Sequence, residues 1–142
     1  VPVRTRDEAA ALARRYLDAM ERRALDEAAR CVAADAVLTF PGGHRRAGVA
    51  DIVSGSGARY QFVGKHFEAV EAYDAPAGGF VVYCRGTLHG RWIDGAPFEG
   101  IRFVDRFEID DNGIRRQDVW NDAAEHRLAR AAALASSSEP VR

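Results

Sequence analysis

Between residues 6 and 23 the apolar positions Ala9, Leu12, Ala13, Tyr16, Leu17 and Met20 recur every three or four residues. That spacing places them on one stripe of an α-helix. A second, shorter helix is predicted over residues 26–33, where Ala28, Ala29 and Val32 follow Leu25 on an apolar side. Residues 36–40, Ala-Val-Leu-Thr-Phe, read as a short strand that Pro41-Gly42-Gly43 stops. A third helix over residues 48–58 is weakened by Gly55 and Gly57.

From Tyr60 onward the period changes from helical to alternating, and strands are predicted over 62–73, 80–92, 98–110 and 114–121. The links carry Asp74-Ala75-Pro76-Ala77-Gly78-Gly79, then Asp94-Gly95, then Asp111-Asn112-Gly113. Asp-Gly and Asn-Gly between alternating runs are strong hairpin signals, so the four strands form an antiparallel meander. A last helix follows over 122–135, and the Ser-, Glu- and Pro-containing stretch 136–142 reads as a disordered tail. Without repeats or an internal linker, residues 1–135 make a single domain. Helices first and a meander afterwards give the α+β class. The expected architecture is a cone-shaped curved antiparallel β-sheet, with the N-terminal helices packed over its concave face around a pocket of small-molecule size.

Composition narrows the partners. A formal net charge of −1, with no basic face carrying interleaved aromatics, argues against nucleic acid. No apolar run approaches a membrane span, and no basic-then-apolar leader opens the chain. Cys31 and Cys84 are too few and too far apart for a disulfide framework or zinc motif. They read as buried thiols and point to a cytoplasmic location. The positive charge is almost all arginine, with Lys65 the lone lysine.

The strand around Asp105 carries the sharpest chemical signal. Ile101, Phe103, Phe107 and Ile109 share one face, and Asp105 sits in the middle of it. A carboxyl among large apolar neighbours is costly to ionise, so its pKa should rise toward the range useful for proton transfer. The alternative is a structural carboxylate paired with an arginine or with backbone amides. Tyr16 lies on the buried stripe of the first helix, where its hydroxyl either bonds within the core or donates to a developing oxyanion. His66 and His89 alternate with polar residues and read as surface positions or as a polar pocket wall. No histidine pair, including His44 and His126, has metal-ligand spacing. No metal or cofactor is expected. Gln117, Val119 and Asn121 share one face of the last strand, while Asp118 and Trp120 share the other, which suits a dimer interface.

Four segments together resemble the nuclear-transport-factor-2-like superfamily, whose fold is the cystatin-like α+β roll. They are Tyr16-Leu-Asp-Ala-Met, residues 34–42 (Ala-Asp-Ala-Val-Leu-Thr-Phe-Pro-Gly), Arg102-Phe-Val-Asp-Arg-Phe-Glu, and residues 111–122. The superfamily includes ketosteroid isomerase, limonene epoxide hydrolase, scytalone dehydratase and the SnoaL-like polyketide cyclases, and it shares a shape rather than a reaction. By this resemblance Tyr16 takes the place of the isomerase's oxyanion-hole tyrosine, and Asp105 that of its protonated aspartic acid. The isomerase base falls at Phe40, and the late-strand aspartate of the hydrolases and cyclases falls at Val119. The resemblance therefore implies a cofactor-independent acid–base enzyme, an isomerase, cyclase, dehydratase or hydrolase, acting on a small hydrophobic molecule, or a non-catalytic module that binds such a ligand or dimerises. Asp105 and Tyr16 are the expected catalytic pair. Phe40, His66, Phe103, Phe107, Gln117, Val119 and Asn121 are the expected binding residues, and a homodimer is expected through the outer sheet face.

Overall fold

Thr5 begins the first helix of the computed structural model, which describes residues 2–137. Its hydroxyl accepts the Glu8 N–H at 3.1 Å, and Glu8 reaches back to the Arg4 N–H. This reciprocal capping starts α1 (Arg6–Arg22). Arg23 ends it in a left-handed conformation (φ 62°), its own N–H bonding the Ala19 and Met20 carbonyls. The face that turns inward carries Ala9, Ala13, Tyr16, Leu17 and Met20, as the spacing predicts.

α2 (Leu25–Arg30) is shorter than its apolar pattern suggests, because Val32 and Ala33 already belong to β1 (Val32–Phe40). Pairing with the distant last strand takes those residues: the Ile114 N–H donates to the Cys31 carbonyl at 2.8 Å. β1 turns through Gly42 and Gly43, both at positive φ, into β2 (His44–Arg46), an edge strand too short for periodicity to reveal. α3 (Val49–Gly57) leads to the long strands β3 (Tyr60–Asp74), β4 (Phe80–Trp92), β5 (Pro97–Asp110) and β6 (Gly113–Asn121). α4 (Ala123–Ser137) closes the described chain, running past residue 135. The rest of the expected tail, residues 138–142, lies outside the described residues.

The sheet corrects the expected architecture. Its order is β2-β1-β6-β5-β4-β3, and the four long strands form the expected antiparallel meander. β1, however, pairs with β6 in parallel, through Val37–Arg116, Leu38–Gln117 and Thr39–Asp118. The sheet is therefore mixed rather than antiparallel, and it is open, neither closed nor strongly curled into a cone. Its two edges, β2 and β3, do not hydrogen-bond to one another; α3 packs against both instead. The parallel pair arises because β1 enters from α2 while β6 returns from a hairpin at the same end of the sheet.

α1 lies across β3, β4 and β5. On β5 the buried positions are Ile101, Phe103, Asp105, Phe107 and Ile109, the alternation that pins register when one face is covered. The opposite face carries charged residues and several exposed aromatics.

Candidate ligand cavity and acid–base site

α1, α3 and the covered face of the sheet enclose a cavity of about 150 Å3 that opens to solvent on one side. Its buried end is formed by Tyr16, Asp105 and Gln117, each no more than 3% exposed. Its walls are mostly apolar, with Leu17 and Met20 from α1, Ile52 and Val53 from α3, and Val63 and Leu88 from the sheet.

Asp105 owes its place to strand alternation. It sits between Phe103 and Phe107 on the covered face of β5, opposite Cys84 on β4 and Val119 on β6. Neither of its carboxyl oxygens has a hydrogen-bond partner among the described residues. Burial pushes its pKa above the ordinary carboxylate value; Lys65 and the Gln117 amide pull in the opposite direction. Lys65 Nζ stands 3.7 Å from Asp105 Oδ2, beyond hydrogen-bond length, and it also lies 5.0 Å above the Phe103 ring. The Gln117 amide is close enough to favour the anion but outside hydrogen-bonding geometry.

Tyr16 donates its hydroxyl proton to Gln117 Oε1 at 2.9 Å. That bond fixes the amide, because an oxygen committed to Tyr16 leaves the NH2 group free to face the carboxyl. Burial, reinforced by the charge of Asp105, raises the Tyr16 pKa, so the phenol holds its proton throughout the neutral range. The Cys84 thiol is pushed up to about 12, chiefly by burial and then by Asp105. It is a packed thiol rather than a nucleophile.

The structure brings Tyr16, Phe40, Asp105, Gln117, Val119 and Asn121 to this one cavity. Phe103 and Phe107 are buried beneath it without lining it. Phe107 packs edge-on against the Tyr16 ring at 5.9 Å, and Phe103 against Phe67 at the same distance. His66 is exposed and turns to the other face of β3, where its ring meets His89. No group of three His, Cys, Asp or Glu side chains that could hold a metal ion occurs among the described residues.

Lys65 and Arg46 line the cavity although sequence periodicity assigns neither a role. Lys65 alternates inward with Val63 along β3, a signal present in the sequence but masked by the ragged start of that strand. β3 is an edge strand, and the Lys65 N–H finds its acceptor in Glu21 of α1 at 2.7 Å. Arg46 arrives through β2, which only its pairing with β1 defines.

The chain thus presents a helix-covered open sheet with an acid at the buried end of an apolar cavity. The chain belongs to the SnoaL-like domain family, which matches residues 13–117. No curated protein matches it. Among solved structures it is similar to an NTF2-like protein of unknown function from Burkholderia pseudomallei K96243. That likeness has 16% identity and a TM-score of 0.68, over 83% of this chain and 93% of the other. It is also similar to a provisionally assigned polyketide cyclase from Xanthomonas campestris pv. campestris (19% identity, TM-score 0.66, 84% and 94% covered). A provisionally assigned isomerase from Bacillus subtilis is similar at 19% identity and a TM-score of 0.62, over 83% and 89%. These likenesses establish the NTF2-like fold.

Proposed function

We propose that the cavity binds a small, mostly apolar organic molecule and that Asp105 performs acid–base chemistry on it without a cofactor. The observation that carries this reading is a buried carboxyl with no hydrogen-bond partner, set at the closed end of an apolar cavity. In its protonated form, which burial favours, the Asp105 carboxyl donates a hydrogen bond to a carbonyl oxygen of the bound molecule as negative charge develops on it. Gln117, oriented by Tyr16, supplies a second donor from β6, and Asn121 lies further along the same face. This modifies the role expected for Tyr16, whose hydroxyl acts through Gln117 rather than on the ligand directly. Isomerisation, aldol-type cyclisation and β-elimination of water beside a carbonyl develop such enolate-like charge as the adjacent C–H proton passes to a base such as a bound water.

The reading also includes a homodimer formed through the uncovered sheet face around Trp120. A second reading, binding without turnover, is favoured by the phenyl ring of Phe40 on the cavity wall, where the resemblance would seat a base. Titration of the Asp105 carboxyl carbon by NMR tests the acid–base reading. The expected pKa lies clearly above the ordinary value of about 3.9. A value at or below it would identify an ion-paired carboxylate and leave the binding reading.

A further inference from the structure

The cavity carries charge that its apolar walls do not require. Four cationic side chains line it, Arg23, Arg46, Arg59 and Lys65, against two carboxylates, Glu21 and Asp105. The chain as a whole is close to neutral, so this excess is local. Four of the six are already engaged, Lys65 and Asp105 with each other at 3.7 Å. Arg23 donates to the Met20 carbonyl at the end of α1, and Glu21 accepts the Lys65 backbone N–H.

Arg46 and Arg59 are differently placed. Arg59 is half-buried as a residue, and its guanidinium makes no hydrogen bond or ion pair with the described residues. Arg46 has only a 3.9 Å approach to Asp51 Oδ1, while Asp51 Oδ2 accepts the Ala47 N–H. The Arg46 side chain is 26% exposed, and its guanidinium occupies the space over Gly55, where an added Cβ would stand 2.7 Å from a terminal nitrogen. On the uncovered sheet face, by contrast, the arginines meet carboxylates closely: Arg85 reaches Glu68 at 3.0 Å and Arg116 reaches Asp118 at 2.8 Å. A partly buried guanidinium with no acceptor, or with only a long one as at Arg46, is suited to an anion, and its planar donor fork matches a carboxylate.

We propose that the ligand carries a carboxylate on an apolar ring or chain, which Arg46 and Arg59 bind at the mouth while the apolar body points toward Asp105. This rests on the small-molecule reading above and adds the substrate class. A ligand held at its charged end is oriented along the cavity, so that a group remote from the carboxylate meets the acid. The two arginines thus set orientation and specificity, and Asp105 touches the reacting atoms.

The test is a matched pair of probes, 2-naphthoate and its neutral amide 2-naphthamide, titrated calorimetrically into the full chain. The acid should bind at least about tenfold more tightly than the amide, and this advantage should shrink as salt rises from about 50 mM to about 500 mM. Arg46→Gln/Arg59→Gln should abolish the advantage while leaving the amide's affinity unchanged. The salt series on the native protein keeps the test decisive should that variant fold poorly. Equal binding of acid and amide by the native protein would overturn the carboxylate assignment and leave the apolar pocket standing. Failure of both probes to bind would overturn the pocket reading and this inference with it.

Discussion

At Asp105 two demands conflict: the fold buries the carboxyl, and water would ionise it. Burial raises its pKa in the folded chain above the unfolded value, so as pH rises the unfolded chain loses this proton first. The stability Asp105 contributes is therefore complete below the unfolded value of about 3.9 and is lost as pH climbs through the folded value. Asp105→Asn, isosteric and neutral at every pH, should then be more stable than the native protein at about pH 8, by on the order of 1–3 kcal/mol. The gap should close toward about pH 4. Urea denaturation at both pH values measures it; a native protein more stable than the variant at the higher pH would mean that Lys65 fully compensates the anion. Lys65, with its side chain 25% exposed, keeps water when its partner is removed, so the variant is not expected to strand a buried cation. Asp105 and Tyr16 are legible in sequence because each interrupts a local apolar period with one polar group. The Tyr16–Gln117 bond and the Lys65–Asp105 approach join residues on separate elements, and no local period encodes them.

Among the elements, β3 and β4 depend on a contact that side-chain patterns do not reveal. Gly86 is buried against β3, and a Cβ built on it would lie 1.8 Å from the His66 carbonyl oxygen, beside the register shift between Phe67 and Ala69. The obstacle is backbone, which cannot swing aside. Gly86→Ala should force the strands apart and cost roughly 1–3 kcal/mol, comparable to overpacking a core. Gly57→Ala, where an added Cβ meets nothing within 4 Å, should instead stabilise α3 by up to about 1 kcal/mol. Parallel urea titrations of the two variants check the contrast, and an unaffected Gly86→Ala protein would show the pairing to be loose. The hairpins were readable because Asp94-Gly95 and Asn112-Gly113 announce their turns, with Gly95 and Gly113 both at positive φ. The parallel β1–β6 pair has no such local signature. Its partners are brought together by the whole intervening chain, which is why an all-antiparallel sheet was the natural expectation.

For the whole molecule, the asymmetry between the two sheet faces decides the expected assembly. α1 and α3 cover one face, and the other presents Trp120 at 57% exposure, with Val104 directly across from it on β5. Tyr83 and Tyr73 extend this surface along β4 and β3, their rings 6.3 Å apart. Ion pairs such as Arg106–Glu108 and Arg85–Glu68 are interleaved with these aromatics, Arg106 standing directly across from Tyr83 and Arg85 across from Val104. A second copy offers the same surface, so a two-fold contact would bury Trp120 on both sides. Light scattering on the eluted protein at micromolar concentration should therefore return twice the 15.5 kDa chain mass. Trp120→Glu should return a single chain mass with unchanged far-ultraviolet circular dichroism, because Trp120 is more than half exposed on the single chain. A monomer mass for the native protein would remove the dimer. A dimeric Trp120→Glu protein would move the interface elsewhere, since a buried unpaired carboxylate at the centre of a two-fold contact costs more than such an interface can absorb.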